Sequence, residues 1–457
     1  MRLFALLLSL ILAAPAWAET RVPQDQAEIS LSFAPLVKQA APAVVNIYAR
    51  QVVQAKSPFA DDPFFGQLFR DFQARPRVQN SLGSGVILSA DGIVVTNYHV
   101  VGQAQDIRVV LNDRREFAAA VLLSDEESDL AILQLDGAED MPSLSLRDSD
   151  TVEVGELVLA IGNPFGVGQT VSSGIVSGLA RSGAATGNAR GYFIQTDAPI
   201  NPGNSGGALI DVAGRLIGVN TSILTRSGGS NGIGFAIPSA LVAQFVTQAR
   251  AGETRFQRPW AGAAGQAVDG DLAATLGLDR PGGVALAHLH PQSPLAQAGL
   301  RVGDVVLAVD GLPVNSPPEM LYRMSVRGIG STADVTFHRA DETFKATVAM
   351  IVPPDDPPRD AVTLGARDLL PGLEVARLNP ALTSELNLPI DAAGIVVLQP
   401  GPYGARAGLQ TGDILRGIDG AAVENPAEVG PLLQRAAPRV RIDALRGNRR
   451  LVLSFRL

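Results

Sequence analysis

Apolar positions along this chain gather in short runs. Between about residues 30 and 250, Ala43–Gln51 is rich in β-branched residues, and Leu130–Leu135, Leu157–Ile161 and Leu216–Val219 are brief apolar stretches bounded by polar residues or glycine. Runs that short suit buried strands better than helices. Gly85–Leu88 and Ile93–Asn97 flank Ala90-Asp91-Gly92, a hairpin turn signal. Strands spaced at roughly 8–12 residues by Gly and Asp turns predict an antiparallel barrel or sandwich. The period changes at Ser239–Arg250, where Ala240, Val242, Ala243 and Val246 fall at helical spacing and predict a closing helix.

The first 18 residues follow another pattern. Arg2 precedes the 12-residue run Leu3–Ala14, which is shorter than the ~18–20 apolar residues that span a bilayer. Ala16-Trp17-Ala18 is a small-x-small cleavage site. The segment reads as a cleavable secretory signal, with an uncleaved anchor as the other reading, and Glu19 is the expected mature N-terminus. No second run is long and apolar enough to predict an integral membrane span.

The last 200 residues carry a repeat. Ala296–Val314 (AQAGLRVGDVVLAVDGLPV) and Ala405–Val423 (ARAGLQTGDILRGIDGAAV) are identical at 9 of 19 positions at an offset of 109. That period is far above solenoid units of roughly 20–50 residues, so it predicts a tandem pair of whole domains. Between them Ile351–Asp360, with four prolines and three Asp, reads as a stiff, solvated linker.

Composition narrows the function. With 46% apolar and 18% charged residues among 457, the chain is globular. A formal net charge of −8 without a dense basic patch argues against nucleic acid as the main partner. The absence of cysteine excludes disulfides, thiolate metal sites and a Cys nucleophile. An exported, cysteine-free chain points to a bacterial periplasm. Imidazole chemistry is confined to His99, His288, His290 and His338.

Gly203-Asn204-Ser205-Gly206-Gly207 is a Gly-flanked serine. Such a loop is either a plain turn or a nucleophile whose neighbouring N–H groups converge on an oxyanion. It also matches G-x-S-x-G, but a nucleophile elbow needs strand, turn and helix with Asp and His following. Here Ala208–Val212, Ala213-Gly214 and Arg215–Asn220 read as strand, turn and strand. His99 is the only histidine before residue 288 and follows Val94-Val95-Thr96-Asn97-Tyr98 at a strand end. It is either a structural histidine or the base the serine needs. Asp129 leads straight into an apolar strand and is the candidate orienting carboxylate, whereas Asp125, Glu126 and Glu127 read as a solvated turn.

Thr96-Asn97-Tyr98-His99-Val100, Ser128-Asp129-Leu130-Ala131 and Asn201-Pro202-Gly203-Asn204-Ser205-Gly206-Gly207 resemble the three catalytic blocks of the HtrA/Deg (Do-like) serine endopeptidases, in the same order. The paired Gly-Leu-x-x-Gly-Asp units resemble PDZ domains. The resemblance implies a mostly β chain, with a chymotrypsin-like double β-barrel protease domain followed by two PDZ domains. It places a signal peptide at 1–18, the protease at 19–255, PDZ units at 256–352 and 362–457, and the Pro-rich linker at 353–361. It implies catalysis by His99, Asp129 and Ser205, and an oxyanion hole at Gly203, Asn204 and Ser205. Ile200 and Ile233 would line a primary pocket for small to medium apolar residues, and ordinary core is the other reading of both. Peptide-binding loops would lie at Gly262, within Trp260–Ala264, and at Gly372, Leu373, Glu374 and Val375. The first of these lacks the usual bulky aliphatics, and either unit could instead serve in domain packing.

The expected activity is ATP-independent degradation of unfolded or misfolded exported proteins, without cofactor or metal. The rivals are a chaperone or peptide-binding scaffold and a regulatory protease with one membrane substrate. Expected partners are unfolded polypeptides, extended or C-terminal peptides, and copies of the chain itself. Ile29, Leu31, Phe33, Leu36 and Val37, with the five phenylalanines of Phe59–Phe72, predict apolar surfaces and a homotrimer or larger assembly. His288 and His290 share a strand face, but a metal would need a third ligand. Asp269-Gly270-Asp271 is too short for a calcium loop.

Overall fold

The computed structural model describes residues 32–53, 77–102, 104–162, 168–182, 192–201, 203–223 and 231–456. The signal segment, Ile29, Leu31 and Phe59–Phe72 lie outside the described residues.

Two closed antiparallel barrels form first. One is built from β1 (Val44–Val53), β2 (Arg77–Ile87), β3 (Ile93–Thr96), β4 (Asp106–Val110), β5 (Glu116–Asp125) and β6 (Leu130–Leu135), in the order β1-β2-β3-β6-β5-β4. The turn signal at residues 90–92 makes the β2–β3 hairpin, with Val86 opposite Val95. The second holds β7 (Leu157–Gly162), β8 (Thr170–Ser182), β9 (Tyr192–Thr196), β10 (Ala208–Asp211), β11 (Leu216–Ile223) and β12 (Gly234–Pro238), in the order β10-β11-β12-β9-β8-β7. Closure leaves no free sheet edge. Strands such as β3 and β12 are buried at every residue, which is why they read as unbroken apolar runs rather than alternation.

One apolar cluster joins the barrels. Val86, Ile132, Leu159, Ile210 and Phe235 lie in it, and so does Phe245 of the helix that closes this region. Helix α1 (Ala34–Ala40) lays Leu36 and Val37 against that cluster and leaves Phe33 exposed. Helix α2 is a single turn, Tyr98–Val101, and α3 is Ser239–Arg250, as its periodicity predicts.

Two smaller sheets follow. The first contains β13 (Ala263–Ala267), β14 (Val284–Leu289), β15 (Val305–Val309), β16 (Leu312–Pro313), β17 (Thr332–Arg339) and β18 (Glu342–Ala349), with helix α4 (Pro317–Arg327). The second contains β19 (Val362–Thr363), β20 (Glu374–Arg377), β21 (Ile395–Gln399), β22 (Ile414–Ile418), β23 (Ala421–Ala422), β24 (Arg439–Arg446) and β25 (Arg449–Arg456), with helix α5 (Val429–Ala436). The repeat now has a physical basis. The Gly-Asp aspartates Asp304 and Asp413 are buried, and each forms an ion pair with an arginine, Arg339 at 2.6 Å and Arg446 at 2.7 Å. Each arginine also donates to a loop carbonyl, Gly299 or Gly408, and so pins the loop to the sheet.

The linker is largely exposed, with Asp355, Asp356, Pro357, Pro358 and Asp360 facing solvent, and it is also tied down by hydrogen bonds. Asn379 donates to Asp355 Oδ1 and to the Pro357 carbonyl, and Ala381 N–H donates to the Pro354 carbonyl. The segment is therefore tied to the short helix Pro380–Glu385 of the second small unit.

Candidate active site

The cleft side chains come from both barrels. Asn97, fully buried just after β3, donates from Nδ2 to the Asp129 carbonyl at 2.9 Å and anchors the turn that carries His99. His99 therefore sits on α2, one residue into a helical turn, rather than at the strand end its sequence suggests. Asp129 precedes β6 with a φ of +52°, a left-handed conformation that Asp tolerates better than most residues. That backbone directs its carboxylate at α2.

Three donors converge on this carboxylate. His99 Nδ1 lies 2.9 Å from both Asp129 oxygens, the His99 backbone N–H is 3.0 Å from Oδ1, and the Thr221 hydroxyl is 2.5 Å from Oδ2. With Nδ1 carrying the donated proton, Nε2 keeps its lone pair. The Asp129 side chain is 18% exposed and the His99 side chain 51%, so the carboxylate is sheltered and the imidazole faces solvent.

Ser205 arrives from the second barrel, three residues before β10. Its hydroxyl donates to the Thr221 carbonyl at 3.0 Å, and among the described residues no hydrogen bond joins it to His99. Thr221 thus holds both ends of the arrangement, its hydroxyl on Asp129 and its carbonyl on Ser205. Sequence reading missed Thr221, because a β-strand threonine carries no chemical signature.

The loop around Ser205 is fastened to the first barrel. Ser84 Oγ donates to the Gly203 carbonyl at 2.7 Å, and Ser84 N–H donates to the Ser205 carbonyl at 2.9 Å. Asn204 N–H closes a turn onto the Asn201 carbonyl, and Gly203 has a φ of +101°, the type II signature at the third position. Neither Gly203 N–H nor Ser205 N–H donates to a carbonyl of the described residues. Gly206 explains the next glycine: a Cβ there would lie 2.0 Å from the Ser84 carbonyl oxygen, and its φ is +83°. Asn204 is buried beside this turn.

The other expected residues fall in several places. Ile200 is buried within the second barrel, and Ile233 packs more loosely on the inter-barrel cluster. Gly234, next to Ile233, abuts Ile200, since a Cβ there would lie 2.7 Å from Ile200 Cδ1. Gly262, φ +58°, turns the chain into β13 against Ser293 and Trp260. His290 meets Trp260 edge-on at 5.3 Å, and burial pushes its pKa down. No cluster able to hold a metal occurs among the described residues. Leu373 and Val375 are fully buried, and Gly372 N–H donates to the Leu364 carbonyl.

Asp125 departs from the solvated reading of its turn, whereas Glu126 and Glu127 are exposed as read. The Asp125 side chain is 15% exposed, accepts from Ser128 N–H at 2.7 Å and pairs with Arg258. Arg258 also donates to Ser128 Oγ at 2.7 Å, so the turn leading to Asp129 is clamped from the start of the first small domain.

Two closed β-barrels with Ser, His and Asp gathered between them define a chymotrypsin-like serine endopeptidase, and the two small sheets define appended PDZ domains. Family models for a trypsin-like peptidase domain and for PDZ domains match residues 83–219, 262–350 and 394–446. The chain is 36% identical over 460 residues to the periplasmic pH-dependent serine endoprotease DegQ of Escherichia coli, covering 99% of this chain and 98% of that one. It is 37% identical over 436 residues to a probable periplasmic serine protease do/HhoA-like of Haemophilus influenzae, covering 91% and 90%. The solved HtrA-type protease AlgW with decapeptide superposes with a TM-score of 0.52 at 40% identity, over 71% of this chain and 99% of that one. The chain belongs to the DegP/DegQ-like, HtrA-type family of serine endoproteases. These curated relatives are periplasmic, and no helix among the described residues is long and apolar enough to cross a membrane.

Proposed function

We propose that Ser205, His99 and Asp129 carry the peptide hydrolysis. Ser205 Oγ exchanges the Thr221 carbonyl for His99 Nε2 as its acceptor. His99 takes the hydroxyl proton as Oγ attacks the scissile carbonyl carbon. The carbonyl electron pair moves to oxygen, which the N–H groups of Gly203 and Ser205 receive, with Asn204 holding the loop. The C–N bond then breaks, and His99 protonates the leaving amine. Water repeats the sequence, releases the acid and restores Ser205. Asp129 orients His99 and balances its positive charge. The observation that supports this most is the contact of one carboxylate with His99 and with Thr221, whose carbonyl in turn holds Ser205.

The substrates proposed are unfolded or misfolded exported polypeptides, cut without ATP in the periplasm after removal of residues 1–18. The protease spans 19–255, the PDZ units 256–352 and 362–457, and the linker 353–361. Gly262 and Gly372–Val375 mark the peptide-binding edges. Ile200 and Ile233 select Val, Ala or Ile before the scissile bond, because a Lys or Arg there would bury an unpaired cation at a cost of several kcal/mol. Phe33 adds to an apolar surface through which the chain forms at least a trimer. The test compares casein digestion by the wild type and Ser205→Ala, with cleavage sites read by mass spectrometry. Turnover confined to the wild type, after small aliphatic residues, is expected. Cleavage after basic residues would contradict the pocket, and an active Ser205→Ala would contradict the nucleophile.

A further inference from the structure

PDZ-type recognition adds an extended peptide to a sheet edge beside a helix, with alternate side chains in pockets and the terminal carboxylate held by a loop. The two units differ at this edge. In the first, β13 ends its sheet. In the second, β20 is not the end, because β19 pairs antiparallel along it, with Val362 opposite Val375 and Thr363 opposite Glu374. Arg377 N–H donates to the Arg359 carbonyl at 2.7 Å, which extends the contact backwards into the linker.

The side chains of this strand alternate as a bound peptide's would. Ala361 and Thr363 face solvent, Val362 is half-buried and Leu364 is buried. Val362 and Leu364 pack with Val429, Leu432 and Leu433 of α5, and Leu364 Cδ2 lies 3.2 Å from the point where a Cβ on Gly430 would stand. At the loop, Leu364 N–H donates to the Leu373 carbonyl at 2.8 Å, and its own carbonyl accepts from Gly372 N–H at 2.9 Å. Leu364 thus has its side chain between β20 and α5 and its carbonyl oxygen on the loop donor that a ligand carboxylate would use.

We propose that the second PDZ unit is closed by its own first strand, continued backwards into the end of the linker. Residues 359–364 occupy the groove as an internal ligand, and the groove accepts a separate peptide with an aliphatic C-terminal residue only when this strand leaves. A trans peptide then binds with its intrinsic affinity reduced by the open fraction. The inference rests on reading Gly372–Val375 as a peptide-binding edge, and it is independent of the protease chemistry.

The chain has no cysteine, so one engineered pair gives a clean lock. Thr363 and Glu374 are directly opposed, at a separation of about 4.5–5.5 Å between Cα atoms in such pairs, within disulfide reach. The probe is a photoreactive, fluorescent Arg-Asp-Ala-Val-Thr-Leu peptide with a free carboxylate. It is titrated into full-length Ser205→Ala protein carrying Thr363→Cys and Glu374→Cys, and cross-links are mapped by mass spectrometry. The oxidised protein should not cross-link within 372–377 or 429–436, and the reduced protein should do so weakly. Leu364→Asp, which ejects the strand by burying a carboxylate, should bind there roughly tenfold or more tightly than the reduced form. If Leu364→Asp fails to fold, the oxidised and reduced forms decide alone. Equal cross-linking of both forms, or a cysteine pair that does not close, would overturn the proposal. So would a folded Leu364→Asp with no gain; if the first unit is then also unlabelled, the peptide-binding reading falls with it, and if it is labelled, that reading stands.

Discussion

Thr221 joins Asp129 to Ser205 through two different atoms, so the two contacts of the proposed triad are separable by mutation. Thr221→Val keeps the carbonyl that receives Ser205 and deletes the hydroxyl on Asp129. A hydrogen bond to a charged group contributes about 1.5–3 kcal/mol, so kcat/KM should fall roughly tenfold to a hundredfold while casein-binding affinity is unchanged. Asp129→Asn leaves the shape intact but favours the wrong His99 tautomer, and kcat should drop about 10⁴-fold. One proton on His99 removes the base, so kcat/KM should decline about tenfold per pH unit on its acid limb. A flat profile from acid to neutral pH would contradict a histidine base. At this scale the sequence was readable where a residue type is scarce or its neighbours are distinctive: His99 is the one histidine before residue 288, and Ser205 stands out among many serines only by its flanking glycines. Thr221, Ser84 and Arg258 were not readable, because each acts on a partner far along the chain through a common group, Arg258 reaching Asp125 across 133 positions.

Elements were legible where a buried face left an uninterrupted pattern. β6 and α3 have the bounds their apolar spacing indicates, and the Ala90–Gly92 turn sits between paired strands. The turn at His99 was misplaced because one helical turn has no period to read. β19 fell inside the expected bounds of the second unit but carried no strand signal of its own: two residues have no period to read, and only the register against β20 makes them part of a sheet. The loop before β10 carries its own test. Gly206→Ala would force a methyl group to 2.0 Å from the Ser84 carbonyl oxygen at a positive φ. Overpacking and backbone strain together should cost about 2–4 kcal/mol and abolish turnover, read by denaturant unfolding and casein cleavage. Wild-type stability and turnover in that variant would contradict the close approach of the two barrels.

The first PDZ unit is docked on the protease through α4. Arg323 pairs with Asp150, donates to the Tyr192 hydroxyl at 2.8 Å and lies over the stacked rings of Tyr192 and Tyr322, whose centroids are 3.9 Å apart. Burial pushes the Asp150 carboxyl above its ordinary value even with Arg323 beside it, and pushes the Tyr192 hydroxyl up to about 12. A raised carboxyl pKa means that the folded state takes up a proton more readily than the unfolded one, so the stability it contributes is present in acid and lost as pH rises. Arg323→Ala should therefore loosen the docked unit by about 3 kcal/mol at neutral pH, and by less as pH falls, beginning above the ordinary carboxylate range because the raised Asp150 carboxyl takes its proton there. Thermal unfolding of the wild type and variant across pH checks the sign; a deficit that grows in acid would contradict it. At larger scale, sedimentation equilibrium should find a trimer or a multiple of it at micromolar concentration, and a clean monomer would contradict the assembly. The central claim concerns Ser205, and it has a direct chemical readout. The mature protein is treated with diisopropyl fluorophosphate and the adduct is located by peptide mass spectrometry. The account predicts a single phosphoryl adduct on Ser205, lost in His99→Ala and accompanied by loss of casein cleavage in the labelled wild type. An adduct on another residue, or full cleavage by the Ser205-labelled enzyme, would contradict it.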